Sequence, residues 1–464
     1  MTTSLELLLI TALLAISSAV IAAVLGYPVG NWLASLKRVK NLVSSVLLLP
    51  FLLPAFLVGL TLLPLQPTEL TFLSAFGWIL FAHLLMNVGF IARVVAASTV
   101  PKEQLEAASL DGASRMQARL LIEIPQQLPG IASASLLVAL YSATSYGLVL
   151  TLGRGEVRTL ETEVSELALR QLDLGSAGLL ALLQTLLTVA LFLVARKLGA
   201  NPTPLFGESD HAGSKLGGLI GLAYLAVVSV VVGNVAIRAV SLNGGLFENF
   251  ANLATKGSRD ILNISLLEAA GNSIRNFLVS VLIALPIAWL AAARKRPSLV
   301  VLLPIGISPV VVGLLFLVGA GYLPGALGNW WLVPLAQSVF LIPLGYQILR
   351  PARHAIEPEM LEAATLDGAG KVKTLAFVEA PILARPIAAA ISFMALASLG
   401  EFGAASFLAY GSEATLPLAM FRLASRPGEM NLGMAMTAAL LFIALALVVV
   451  YFISREKKTE FSVR

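Results

Sequence analysis

Eight residues, Glu106, Ala107, Ala108, Ser109, Leu110, Asp111, Gly112 and Ala113, return 256 positions later as Glu362, Ala363, Ala364, Thr365, Leu366, Asp367, Gly368 and Ala369. Only one hydroxyl residue is exchanged for another. Each copy stands between long apolar runs, and a glutamate and an aspartate within six residues are costly in hydrocarbon. Neither octet can therefore belong to a membrane span. Both must meet water, and the rest of the chain has to present them alike.

The apolar runs set the fold class. The chain is 58% hydrophobic and 12% charged, with a mean hydropathy of +0.89, whereas soluble domains carry about 25% charged residues. An all-α, polytopic membrane protein is the consequence. At about 20 residues per crossing, eleven spans are expected, at 5–25, 42–65, 72–97, 128–152, 175–194, 216–237, 277–293, 299–322, 331–349, 387–409 and 432–453. No Lys or Arg precedes the first run, which reads as a retained span and not as a cleaved signal peptide.

Charge then orients the chain. With the segment after the third span in the cytoplasm, the N-terminus lies outside and the C-terminus inside. Most of the 31 Lys and Arg residues, including Lys37, Arg38, Lys40, Arg196, Lys197, Arg294, Arg455, Lys457 and Lys458, then face the cytoplasm, as the positive-inside rule requires. The net charge of +5 reads as this orientation signal, with no nucleic-acid partner.

The repeat reaches beyond the octets. At the same offset Pro125 matches Pro381, Ile131 matches Ile387, Gly147 matches Gly403 and Gly155 matches Gly411, while Pro50 and Pro54 align with Pro304 and Pro309 after a small shift. The organisation is a first repeat of five spans (1–198), a polar linker (199–214) and a second repeat of six (215–464). An even number of spans separates the octets, so the repeats are parallel, related by an axis along the membrane normal. External segments 153–173 and 241–268 are too long for tight turns, and the first, with Val157, Leu160, Val164, Leu167 and Leu169, suggests an amphipathic surface helix.

Around each octet the punctuation is that of a helix, a glycine bend and a second helix. Pro101 and Glu103 suit a helix start, Gly112 suits a left-handed closing residue, Ser114 can cap the next helix, and Pro125 breaks the run into the next span. Pro358, Glu359, Gly368 and Pro381 repeat the scheme. The corner, about 101–124 and 357–380, presents Leu105, Ala108, Leu110, Met116, Leu120 and Leu121 to water, and apolar surface of that kind is normally a partner site.

Catalysis and metal binding find no support in the residues. There is no cysteine, and His83, His211 and His354 lack metal-ligand spacing. No nucleophile triad or carboxylate pair suggests hydrolysis. Gly368 to Lys371 looks superficially like a phosphate loop, but it lacks the first glycine and has Val372 after the lysine. No enzyme activity, metal or bound cofactor is expected. Glu401 is the one acidic residue deep in an expected span, beside Phe402 and Gly403, and buried membrane charge marks a pathway or gate. Its counterparts Ser145, Tyr146 and Gly147 are the matching pathway candidates in the first repeat. A secondary transporter would need a relay of several such acids.

The octets, together with the apolar stretch after each, resemble the signature of the integral-membrane subunits of type I ATP-binding-cassette importers: Glu-Ala-Ala, three residues, Gly, then a hydrophobic stretch ending near a proline. Here it stands at 106–125 and 362–381. The resemblance implies a MetI-like transmembrane fold duplicated in tandem, in a bacterial or archaeal inner membrane. By it, the corners are coupling helices seated on an ATPase homodimer that hydrolyses ATP with Mg. Glu106, Ala107, Ala108, Asp111 and Gly112, with Glu362, Ala363, Ala364, Asp367 and Gly368, are then ATPase-coupling residues, and Glu106 and Glu362 pair with basic groups. One fused chain would supply both permease halves, served by an extracellular solute-binding protein. Segments 145–153, 159–163 and 180–184 are similar to the thiamine and ferric-iron branch, so thiamine or a related small cation is the expected substrate, with ferric iron, a polyamine or an oxyanion as alternatives.

Overall fold

A computed structural model describes residues 3–37, 39–98, 100, 102–197, 215–294 and 298–454. The expected linker 199–214 and His211 lie outside the described residues. Twenty-two α-helices are described, and among the described residues there is no strand. In the first repeat they are α1 (Ser4–Ser35), α2 (Lys40–Leu52), α3 (Ala55–Leu62), α4 (Phe72–Ala97), α5 (Lys102–Leu110), α6 (Arg115–Ala118), α7 (Ile124–Ala143), α8 (Tyr146–Gly153), α9 (Leu160–Leu169) and α10 (Leu174–Lys197). Next come α11 (Lys215–Ser241) and α12 (Leu246–Asn252). The series then returns as α13 (Leu266–Ala292), α14 (Leu299–Leu302), α15 (Pro309–Gly321), α16 (Leu332–His354), α17 (Pro358–Leu366), α18 (Lys371–Thr374), α19 (Ala380–Leu399), α20 (Gly403–Leu408), α21 (Leu416–Ala424) and α22 (Glu429–Ser454).

Among the described residues, eight helical stretches are long and apolar enough to cross a membrane, and ten if each of two bent pairs is one span. Several of the eleven expected runs are thus interrupted and not single helices. The expected span 42–65 is bent by 94° between α2 and α3, where Leu53 is extended before Pro54, as a residue preceding proline prefers. The expected span 299–322 is not one helix: α14 gives way to a 3-10 turn (Leu303–Gly306) containing Pro304, and α15 restarts with Pro309 at its first position. Proline removes a helix donor and clashes with the preceding turn. The 13 residues of α15 reach about 20 Å at about 1.5 Å each, short of the hydrocarbon thickness.

The chain falls into two compact units, one of α1 to α12 with α22 and the other of α13 to α20, with α21 divided between them at Met420. In the first, α1, α2, α4 and α11 close around buried Val29, Leu33, Ala34, Leu47, Ala92 and Ala96, with Trp32, Ile220 and Tyr224 packed on the outside. Helix α22 packs on α2 and α11 in this same unit. Packing thus cuts the chain differently from the sequence repeat, since α11 and α22 fall in 215–464. In the second unit α13, α16 and α19 pack through Ala288, Ala291, Ala292, Tyr346, Leu349 and Ala390, continuing through Val281, Ala284, Leu341 and Met394. Small residues at the contacts let the backbones approach closely, which is how helices associate without a water-driven hydrophobic term.

The surface helix expected in 153–173 forms as α9, started by a reciprocal cap between Thr159 and Thr162. Its apolar face is not free. Leu160, Val164 and Ala168 are buried against α10, Thr11 accepts the Leu160 N–H at 3.0 Å, and the Tyr146 and Ser165 hydroxyls lie 2.7 Å apart. In 241–268, the short α12 leaves Phe247 and Phe250 exposed.

Candidate functional site

The two octets fold into the same corner. In the first, α5 ends with Asp111 N–H donating to Ala107 O at 3.0 Å and Ala113 N–H to Ala108 O at 3.0 Å, with Gly112 at φ +86°. In the second, α17 ends with Asp367 N–H on Ala363 O at 3.0 Å and Ala369 N–H on Ala364 O at 2.9 Å, with Gly368 at φ +77°. This closure, with a left-handed glycine two residues past the helix, satisfies carbonyls that the helix end would otherwise orphan. Ser114 caps α6 reciprocally with Gln117, as its position in the sequence suggests, by bonds of 2.8 and 3.3 Å. Gly370 stands in its place in the second copy.

Exposure sorts the corner residues. Glu106, Ala107, Asp111 and Gly112 are exposed, as are Glu362, Ala363, Asp367 and Gly368. Leu110 and Leu366 are each 88% exposed, far beyond what a leucine in a packed corner shows. Met116, Leu120 and Leu121 join the first corner, and Val372 and Phe377 the second. Ala108 and Ala364 are the exceptions: both are buried, so the outward position expected for Ala108 is corrected. It lies on the inner face of its helix, under the bend.

Past each corner lies a feature that periodicity does not reveal. Residues Arg119–Glu123 and Leu375–Glu379 form π-turns, closed by Ile124 N–H on Arg119 O and Ala380 N–H on Leu375 O. Each π-turn ends on a glutamate. The Glu123 carboxylate accepts from the Tyr27 hydroxyl at 2.9 Å and the Asn31 amide at 2.7 Å, while Gln127 donates to Asn31 at 3.2 Å. Glu379 pairs with Arg353 at 2.6 Å, and Arg353 donates to Trp289 O at 3.2 Å with its guanidinium 4.9 Å from the Trp289 ring centroid. The recurrence of glutamate at offset 256, inside otherwise diverged sequence, is the signal that could have found them.

The pathway candidates sit at breaks in the spans. Helix α7 ends at Ala143, and α8 leaves at 57°. Ser145, Tyr146 and Gly147 are buried there, and Gln184 on α10 donates to the freed Ala143 carbonyl at 2.9 Å. In the second copy α19 stops at Leu399 and Glu401 precedes α20. Its two carboxylate oxygens accept the N–H groups of Ala404 at 2.6 Å and Ala405 at 3.1 Å. Glu401 therefore caps the helix it precedes, satisfying two donors that have no partner within α20. Beside it Gln337 accepts from Ser398 at 2.7 Å and Ser280 at 3.2 Å. Phe402 and Gly403 are buried, and a Cβ at Gly403 would lie 3.0 Å from Pro309 Cβ, so α20 and α15 touch closely. The lone His83 is a packing residue, buried with Nδ1 3.0 Å from the Ser18 hydroxyl.

The chain matches the family model of the binding-protein-dependent transport system inner membrane component twice, over residues 22–201 and 268–456. The probable ABC transporter permease protein y4fN of Sinorhizobium fredii is 26% identical over 411 residues, 81% of this chain and 72% of that protein. The molybdenum transport system permease protein of Escherichia coli K12 is 29% identical over 208 residues, 40% of this chain and 89% of that protein. The thiamine transport system permease protein of Salmonella typhimurium is 24% identical over 373 residues, 74% of this chain and 66% of that protein. The two matched segments take in both corners, both π-turns and both breaks, and leave α11 and α12 between them. The chain belongs to the family of binding-protein-dependent transport system inner membrane components, the permeases of ABC importers, and carries that domain twice in one multi-pass inner-membrane polypeptide.

Proposed function

We propose that this permease supplies both halves of the translocation pathway of an ATP-driven importer, with an ATPase homodimer gripping the two corners from the cytoplasm and a solute-binding protein delivering substrate outside. The single observation behind this reading is the duplication of an exposed corner, closed by the same glycine geometry in both copies, since a repeated surface suits a two-fold partner. In it Glu106, Ala107, Asp111 and Gly112, with Glu362, Ala363, Asp367 and Gly368, form the coupling surfaces, and the buried Ala108 and Ala364 pack beneath them. The N-terminus is external and the C-terminus cytoplasmic. Repeat one is 1–198 and repeat two 215–464, joined by a cytoplasmic linker. ATP and Mg stay with the ATPase, so this chain binds no cofactor. The test is uptake into proteoliposomes holding the chain, its ATPase and its binding protein: ATP-dependent accumulation is expected, and uptake that persists without nucleotide sinks the proposal.

For substrate, thiamine or a related small cation is the first reading, supported by the likeness to a thiamine permease across most of the chain. A second reading, an oxyanion, is favoured by the engagement of Glu401. A carboxylate whose two oxygens already hold the N–H groups of Ala404 and Ala405 serves the break more directly than it serves a passing cation, and the molybdenum permease likeness points the same way. Under either reading Glu401, Phe402, Gly403, Ser145, Tyr146 and Gly147 shape the pathway or its gate. Calorimetry on the cognate binding protein with thiamine, ferric iron, a polyamine and molybdate separates the two: thiamine binding alone supports the first, molybdate binding alone the second.

A further inference from the structure

Each exposed corner is separated from the next span by a π-turn that ends on a carboxylate, and each carboxylate is tied to an earlier long helix, Glu123 to α1 directly and Glu379 to α16 and, through Arg353, to α13. A π-turn carries one extra residue in its ring, marks sites of local adjustment and is a weaker link than an α-helix. Left to itself, such a joint would absorb a push on the corner. The ties oppose this. In the first copy Tyr27 and Asn31, both on α1, hold Glu123. In the second, Arg353 at the end of α16 holds Glu379 and at the same time reaches the Trp289 carbonyl and ring on α13. Glu123 is buried, and the side chains of Arg353 and Glu379 are 18% and 14% exposed, so solvent weakens these contacts little.

We infer that Glu123 and Glu379 are positioning residues that lock the two π-turns, so that a displacement of the corner carries α1 or α13 with it instead of being lost in the joint. The two locks differ in chemistry. The Tyr27 hydroxyl and Asn31 amide that hold Glu123 are neutral donors, with the Arg119 guanidinium 5.7 Å from the Tyr27 ring centroid, whereas Glu379 holds the Arg353 cation directly. Removing one partner of a largely buried ion pair leaves the other uncompensated, so the second lock is the more fragile. The inference rests on the proposal that an ATPase drives the corners, and it adds which side chains transmit the drive.

The test uses the full chain, which has no native cysteine, in nanodiscs with its ATPase. Nitroxides are placed at Leu366→Cys, on the corner, and Leu282→Cys, on the exposed side of α13, and their separation is read by pulsed electron resonance without nucleotide and with ATP and vanadate. In the parent chain the separation should stay within about 2 Å, the scale of a single helix shift, because the two ends move together. With Glu379→Ala it should change by more than that, and Glu379→Arg with Arg353→Glu should restore the parent behaviour. At the first joint, with labels at Leu110→Cys and Leu13→Cys, Glu123→Leu, which removes the acceptor of Tyr27 and Asn31, should change the separation, and Glu123→Gln should change it less. A parent chain whose separation changes as much as the Glu379→Ala variant, or a Glu379→Ala variant that behaves as the parent, overturns the inference. Should Glu379→Ala not insert, Glu379→Gln keeps the volume and is read in the same way. A parent complex that hydrolyses no ATP fails the functional proposal instead, and charge-swap rescue separates a lock from a general loss of folding.

Discussion

The two corners and the two mid-span breaks carry opposite lessons. At the corners the copies coincide: α5 and α17, α6 and α18, the π-turns, and α7 and α19 begin and end at the same offset of 256 residues, and the glycines share one backbone conformation. At the breaks they part. The first copy satisfies a freed carbonyl with Gln184 from a neighbouring helix, and the second satisfies freed N–H groups with the carboxylate of Glu401. The same backbone problem is solved from opposite ends. Under the proposed function, corners that would meet a symmetric partner are held to one shape, whereas breaks that would line the pathway of an asymmetric substrate are free to diverge.

The largest expected effect breaks the likeness of the corners. Gly112→Leu with Gly368→Leu should leave the protein inserted and lower co-purification of the ATPase more than about tenfold, since a branched side chain at positive φ costs about 1–2 kcal/mol at each bend. An added Cβ meets nothing within 4 Å at either glycine, so the effect would be one of backbone, not of packing. Either single variant should fall between, and by similar amounts if the corners are equivalent.

The next prediction sharpens the difference at the breaks. Glu401→Ala strands two buried N–H groups, each costing about 1–3 kcal/mol, and should lower the thermal midpoint in detergent clearly, while Ser145→Ala at the matching position should cost under about 0.5 kcal/mol. Equal effects would mean that the breaks are not the distinct constructions described. A smaller contrast lies in helix packing. A Cβ at Gly89 would come within 1.8 Å of the Leu47 carbonyl, whereas at its counterpart Gly345 the nearest atom is the terminal methyl of Met394. Gly89→Ala should cost about 1–3 kcal/mol and Gly345→Ala less, because a methionine can swing aside. Smallest of all, Ser109→Thr should change neither stability nor ATPase association. Both hydroxyls already donate to the carbonyl three residues back, at 2.7 Å from Ser109 to Glu106 O and 2.7 Å from Thr365 to Glu362 O.

Whatever rests on local pattern could be read from the sequence. Glycine at 112 and 368 and the cap at Ser114 each dictate a backbone event within a few residues, and the structure places those events there. Apolar runs located the membrane segments but not their interruptions, because hydropathy sums composition and does not register that Pro304 and Pro309 cut one run into pieces. The orientation of Ala108 was missed because a single alanine gives no facial signal on a nine-residue helix. Tertiary choices were out of reach altogether. Nothing local tells that α22 packs on α2, that Arg353 waits for Glu379, or that Glu401 turns back on its own chain. Glu401 in particular reads as a charge without a partner, because composition cannot see the N–H groups that α20 turns toward it.

The account depends most on both corners facing the cytoplasm. The absence of native cysteine makes this directly measurable: Leu110→Cys and Leu366→Cys, each at a highly exposed position, are treated separately with a membrane-impermeant maleimide in intact cells and in inside-out vesicles. Both should label in inside-out vesicles stripped of the ATPase and neither in intact cells. Labelling of either corner from the outside would contradict the account.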